Sequence, residues 1–362
     1  MPSLLPLVTV LTLVGAATCE QLLASHFSGQ VYTLNLTSAG SKYNLSVSSV
    51  ITACGGLPSW LTYDAVGKAV YCSDETMSGT GSISSFSAGT NDVLTVIGKA
   101  NAPIGGVANT LFGGSNGRGY VAIAHYQASK VSTFKLPITS SSVPQQVFTF
   151  TMNGHGPNYA RQDAPHPHHV VLGPNGSFIY SPDLGADQIR VWSINHTTGN
   201  LTSCPSYMVP GGTGPRHATF VVVQNGARIV MYVANELANT ISVTALKFPS
   251  NGACPTFQPL ETLSPFPNNA TAPIATWTID QTSGMLDFVD LHDSWGTYPR
   301  TFSINKAGTL LAVGDQTTAN VAVLAINTTT GEVGATPVAN LRLGTAGHPE
   351  NEDGLSSVVW AE

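Results

Sequence analysis

Four side chains in this sequence have types and spacing suited to chemistry on a small anion: His168, Arg216, Glu236 and Arg300. Three of them follow a proline at matching points of a recurring pattern, as Pro167-His168, Pro215-Arg216 and Pro299-Arg300. Glu236 ends the second strand-like run of its copy, and His125 is expected at the same place in another copy. Two guanidinium groups at equivalent points bind carboxylate or phosphate, often through paired hydrogen bonds. A carboxylate between them stays ionised. A histidine there can take or give a proton near neutral pH. With only 14 Lys and Arg against 20 Asp and Glu in 362 residues, such a cluster is unlike the rest of the chain.

Plainer roles compete for each residue. An Arg–Glu pair on neighbouring strands can be a structural bridge. Strand alternation puts His166 and His168 on one face and His169 on the other. No carboxylate accompanies the first two, so a metal site is not expected. His217 is expected to point into sheet packing. Asp183 and Asp187 flank a tight turn, and Asp315 resembles them, so all three read as turn formers.

The elements that must position these residues form a repeat. Each copy has an anchor proline, an alternating strand, a glycine turn, a second strand, a short loop and a third strand. From Pro58, Pro167 and Pro299 the turn glycines Gly67, Gly176 and Gly308 each lie nine residues on. Third strands follow at Ile83 to Phe86, Ile189 to Trp192 and Val321 to Leu324. The copy from Pro215 carries four extra residues before Ile241 to Thr244, and a copy without the proline runs from Ala108 to Phe134. A period of about 50 residues made only of short strands indicates β-propeller blades. The expected fold is all-β: a seven-bladed propeller with blades starting near 21, 57, 106, 166, 214, 268 and 298. The sixth is truncated, with about two strands missing in the region 268–297. Leu355 to Trp360 is a lone strand that can complete the first blade and close the ring. In a propeller the first strand lines the channel and the second runs back beside it. His168, Arg216, Arg300, Glu236 and His125 are therefore expected at one channel mouth.

The rest of the chain points to export. Leu4 to Ala17 has the length of a signal-peptide core, so residues 1–19 are expected to be a leader and 20–362 the propeller domain. No later stretch is apolar and long enough to span a bilayer. Sequons occur at Asn35, Asn44, Asn175, Asn195, Asn200, Asn269 and Asn327. Beyond Cys19 the four cysteines allow three connectivities, and strand neighbours favour Cys54–Cys72 with Cys204–Cys254. A net charge of −6 with 9% charged residues argues against nucleic acid or an anionic membrane as a partner. A secreted protein, free or wall-associated, is the expectation.

The strings HPHHVVLGPNGSFIYSPDLGAD, GTGPRHATF, VANELANTISV and YPRTFSINKAG closely resemble the lactonase family of seven-bladed propellers. That family includes bacterial 6-phosphogluconolactonases and the fungal carboxy-cis,cis-muconate lactonising enzyme, and the likeness is nearest the fungal branch. It covers essentially the whole mature chain. The site of that enzyme, a His, two Arg and a Glu, falls by motif on His168, Arg216, Arg300 and Glu236. The resemblance implies lactone chemistry without a cofactor on a small anionic lactone or carboxylate. It assigns His168 and Glu236 to proton transfer and the two arginines to substrate binding. Two departures stand out. The inner strands of the family's sixth blade are absent, which removes a channel wall between the blades of Arg216 and Arg300. Export also does not suit the cytosolic pathways of the known enzymes. The alternative is a non-catalytic extracellular propeller that binds without turnover.

Overall fold

The computed structural model of the chain describes residues 18–89, 93–250, 252–264, 274–349 and 351–362. Seven antiparallel sheets follow one another around a ring. The first blade comprises β1 (Thr18–His26), β2 (Gln30–Ala39) and β3 (Lys42–Ile51). The second is β4 (Pro58–Asp64), β5 (Ala69–Asp74), β6 (Gly81–Ala88) and β7 (Leu94–Ala102). The third is β8 (Gly106–Phe112), β9 (Tyr120–His125), β10 (Lys130–Lys135) and β11 (Gln146–Thr149). The fourth is β12 (Val171–Leu172), β13 (Phe178–Asp183), β14 (Gln188–Ile194), β15 (Leu201–Ser203) and the short β16 (Tyr207–Met208). The fifth is β17 (Pro215–Val223), β18 (Arg228–Asn235), β19 (Thr240–Lys247) and β20 (Thr256–Leu263). The sixth is a hairpin of β21 (Ile274–Ile279) and β22 (Leu286–His292). The seventh is β23 (Pro299–Ile304), β24 (Leu310–Asp315), β25 (Asn320–Ile326) and β26 (Val333–Arg342), and β27 (Leu355–Trp360) returns to the first.

The second strands explain why the pattern folds this way. β5, β9, β13 and β24 are buried along their whole length. Each is covered on both faces by neighbouring blades, so it is an almost unbroken apolar or small run rather than an alternating one. Outer strands such as β3 are largely exposed. The turn glycines Gly176 and Gly308 both have φ +70°, a left-handed conformation that a side chain disfavours. In the turn before Gly308, Asn305 Oδ1 accepts the backbone N–H groups of Thr309 and Leu310 at 2.8 and 3.0 Å.

Closure follows the expected route. β27 pairs antiparallel with β1, Leu22 opposite Trp360 and Ala24 opposite Val358. Leu355, Val358 and Trp360 are buried with Leu22 and Leu34 of the first blade and Leu310 and Ala312 of the seventh. Trp360 Nε1 donates to Ser303 O at 2.9 Å, tying the two blades together.

The sixth blade is short. Among the described residues β21 pairs only with β22. The hairpin is wedged between its neighbours. Ile279 and Leu286 pack on the Val223–Val230 cluster of the fifth blade, and Ile274 packs on the Leu311–Val313 cluster of the seventh. Tyr232 donates to Gly284 O at 2.7 Å. Residues 1–17 of the expected leader 1–19, Pro267 and the sequon Asn269 lie outside the described residues, while Thr18 and Cys19 pair with β2 as the start of β1.

Both expected disulfides are present, Cys54–Cys72 and Cys204–Cys254, and Cys19 is free and exposed. Their sequence separations are 18 and 50 residues. Closure entropy grows with the logarithm of loop length, so the second should contribute about 1 kcal/mol more, within a typical 2–4 kcal/mol each. Cys204→Ser with Cys254→Ser should therefore lower the unfolding free energy more than Cys54→Ser with Cys72→Ser, as measured by guanidinium titration. Equal losses would show that native packing around Cys54 and Cys72 outweighs the loop term.

Among the sequons, Asn44, Asn175, Asn195, Asn200 and Asn327 are exposed. Asn35 is not a free surface position. It stands half-buried within β2, and its side-chain oxygen is covered.

Candidate active site

The residues after the anchors reach the channel mouth because the backbone bulges there. Strand register shifts at Ser59, Val107, Arg216 and Arg300, in the second, third, fifth and seventh blades. A bulge leaves one residue out of the ladder and re-aims its side chain. His168 follows the same anchor in the fourth blade, where Pro167 bridges Asp183 and His168 N donates to Pro182 O at 2.9 Å.

The opposite side of the site is set by one recurring hydrogen bond. Glu75, Tyr126, Leu184, Glu236 and Gln316 each donate a backbone N–H to the carbonyl just before an anchor position, at 2.7 to 2.9 Å. Tyr126, and not His125, is therefore the third-blade counterpart of Glu236. The loop from β8 to β9 runs over 113–119, where β4 and β5 are joined by 65–68. With no anchor proline to fix the count, the expected register slips by one, which turns the wrong side chain toward the channel. His125 instead lies sealed inside its blade, Nε2 2.7 Å from Ser132 Oγ. Burial pushes its imidazole down to about 3.

His168, Arg216, Glu236 and Arg300 line one cavity of about 820 Å³. Arg161, Tyr126, Glu75 and Gln316 add to its polar lining. Arg161, from the long loop before the fourth blade, places Nη1 2.5 Å from Glu236 Oε1 and donates Nε to Tyr126 Oη at 3.1 Å. Arg216 binds the other oxygen of Glu236. Burial raises the affinity of Glu236 for a proton, but Arg216 and Arg161 overcome it and hold the carboxyl below its usual range. Arg300 Nη2 lies 3.2 Å from Glu75 Oε2, and Ser59 Oγ donates to the same oxygen at 2.5 Å. Gln316 Oε1 accepts from Arg300 Nη1 at 3.3 Å. Three guanidinium groups thus meet the carboxylates of the buried Glu75 and the half-buried Glu236, while Glu352, the third carboxylate on the lining, is exposed.

His168 is buried at the base of this cavity, and its Nδ1 has no hydrogen-bond partner among the described residues. Burial, then the positive Arg216, with His217 and Arg300, drives its pKa well below the ordinary histidine value. These influences favour the neutral imidazole. Its ring lies 5.3 Å from that of His217, which stacks on His169 at 4.8 Å and meets Trp60 at 5.5 Å. His217 is thus packing, as its register implies. His166 is structural too. It stacks on Tyr126 at 4.1 Å and bonds Asp163 Oδ1 and Tyr126 O, both at 2.9 Å. No cluster able to hold a metal occurs among the described residues.

Of the three aspartates read as turn formers, Asp183 closes its turn, whereas Asp187 fastens distant loops. Asp315 is buried, accepts from Asn320 Nδ2 and is pushed up to about 6 by burial. Asp183 accepts the N–H groups of His166 and Ala186 and the Nε of Arg190. Asp187 gathers Gln162 and the N–H groups of Gly212 and Gly214. Together they tie down the loops that carry Arg161 and Arg216. Arg161 escapes sequence reasoning because its loop stands outside the repeat, where no register can be counted. Tyr126 could have been found by counting back from its partner Gly105.

A ring of seven sheets with its polar site at the ends of the inner strands defines a propeller of the binding or catalytic type. The chain matches the family model "Lactonase, 7-bladed beta-propeller" over residues 13–273 and 271–346, two pieces that meet at the short blade, and belongs to that family. A relative from Arthroderma benhamiae named "Probable 6-phosphogluconolactonase" is 26% identical over 79% of this chain and 77% of its own length. A Bacillus subtilis 6-phosphogluconolactonase is also 26% identical, over 60% of this chain and 66% of its own. The solved Pseudomonas aeruginosa periplasmic gluconolactonase superposes with a TM-score of 0.75 at 21% identity, covering 91% of this chain and 98% of that one.

Proposed function

We propose that the chain hydrolyses a lactone that carries an anionic group. The observation that carries this reading is a buried His168 in one cavity with Arg216 and Arg300. The relatives support the lactone side of the family's chemistry, and none of those reported above supports the muconate side.

In the proposed reaction His168 takes a proton from water as the oxygen attacks the lactone carbonyl. Charge builds on the carbonyl oxygen, where Arg216 stabilises it. Collapse of the tetrahedral intermediate breaks the ring C–O bond. The imidazolium returns its proton to the departing oxygen, giving a hydroxy acid. Burial and the neighbouring Arg216 and Arg300 disfavour the imidazolium, so its return of the proton is favourable. Arg300 holds the anionic substituent. Glu236 is saturated by Arg161 and Arg216. It is a positioning residue for those guanidiniums rather than a proton carrier to His168.

Arg216→Ala should raise KM and lower kcat together for an anionic lactone, because the same side chain binds substrate and meets the developing charge. The combined loss in kcat/KM is expected on the order of 10²–10³-fold. A non-catalytic binding propeller would instead show no turnover in the wild-type chain on any of a panel of sugar, phosphosugar and carboxylated lactones. Export is part of the same reading, supported by the two disulfides and five exposed sequons. A fall in mass of the secreted chain on glycosidase treatment tests it.

A further inference from the structure

The short sixth blade changes the shape of the cavity, not only the continuity of the ring. Equivalent positions in other blades make this visible. Leu61, Asn109 and Ala218 share the ladder position of Phe302 and are 4%, 2% and 6% exposed; Phe302 is 68% exposed. Ser73 and Ala124 share the position of Ala234 and are buried, whereas Ala234 is exposed. Phe302 faces the gap from the seventh blade and Ala234 from the fifth. Both line the same cavity as the arginines. Ile241, Ala275 and Trp277 line it too, the last two from β21. Trp277 Nε1 is covered and has no hydrogen-bond partner among the described residues. A cavity of about 820 Å³ lies high in the range of roughly 300–1,000 Å³ that holds drug-sized ligands.

We propose that this lateral recess, walled by Phe302, Trp277, Ile241 and Ala234, is a second subsite that takes an apolar, ring-sized substituent of the substrate. It rests on the anionic-lactone reading above. The preferred substrate is then amphipathic, with its anionic end on Arg216 and Arg300 and a hydrocarbon or aromatic group in the recess. A wholly polar sugar acid would leave Phe302 and Trp277 in contact with water. A hydrophobic substituent removes that apolar surface from solvent.

Binding tests this without requiring turnover. Butyrate and 4-phenylbutyrate share a carboxylate and differ by a phenyl group, and both can be titrated calorimetrically into the intact chain. 4-Phenylbutyrate is expected to bind at least tenfold more tightly. Trp277→Ala should remove most of that advantage and leave butyrate unchanged. Phe302→Ser should do the same, and because Phe302 is exposed this variant keeps the fold if Trp277→Ala does not. Arg216→Ala should weaken both acids. Equal binding of the two acids would overturn the recess proposal and leave the anion site standing. No binding of either acid would overturn both. A wild-type dimer that Phe302→Ser dissociates would also overturn it, because a second copy would then fill the gap.

Discussion

His168→Ala is expected to lower kcat for lactone hydrolysis on the order of 10²–10⁴-fold, the usual loss for a general acid/base. KM should change far less, because the anion is held by the arginines. The pH profile distinguishes this role from a merely structural one. An ordinary histidine base would lose activity as pH falls through about 6.5. Burial, with Arg216, His217 and Arg300, depresses the pKa of His168, so the neutral form persists to lower pH. The plateau of kcat/KM should therefore extend well into the acid range, with its acid limb far below 6.5. Arg216→Ala should move that limb upward, because it removes one source of the depression. Steady-state rates between pH 3 and 8, corrected for spontaneous hydrolysis, provide the check. An acid limb at the ordinary histidine value would refute the electrostatic account. Near-normal turnover by His168→Ala would place the chemistry elsewhere on the ring.

How much of this was legible in the sequence follows from how each residue is positioned. Arg216 and Arg300 were legible because proline anchors fix the count and the bulge after each anchor recurs. Glu236 was legible because it follows directly on a strand paired to one that begins with an anchor. His125 was misplaced by one residue where the anchor is missing and the loop is longer, and one residue is half a strand period. Arg161 was invisible because its position depends on Asp187 fastening Gln162 and Gly212, a contact between loops with no periodic signature. That the sixth blade has only two paired strands among the described residues was legible as a short repeat. Its consequence, a recess floored by Trp277, required knowing where the surviving hairpin settles between the Val230 and Val313 clusters.

Trp360→Ala should cost about 3–5 kcal/mol, the range for removing a large buried aromatic side chain. That is a large share of the roughly 5–15 kcal/mol that stabilises a typical domain. Trp360 is nearly fully buried between the first and seventh blades, and its indole N–H is bonded to Ser303 O. The alanine variant therefore loses packing, leaves a void and strands a carbonyl. The effect should be larger than at an equally buried residue inside one blade, because β27 is the clasp of the ring. The sixth blade contributes only two paired strands among the described residues. A ring already thin at one seam has little reserve when the other seam loosens. Truncation before Leu355 should go further. It exposes the edge of β1 as a row of unpaired backbone groups, a template for association, and removes the buried Leu355, Val358 and Trp360. The truncated chain is expected to aggregate or to unfold without a cooperative transition. The measurements are guanidinium unfolding of Trp360→Ala against wild type, and light scattering of the truncated chain. A loss below about 1 kcal/mol for Trp360→Ala, the scale of an ordinary point substitution, would show that the ring is held by its sheets individually and not by the strand that closes it.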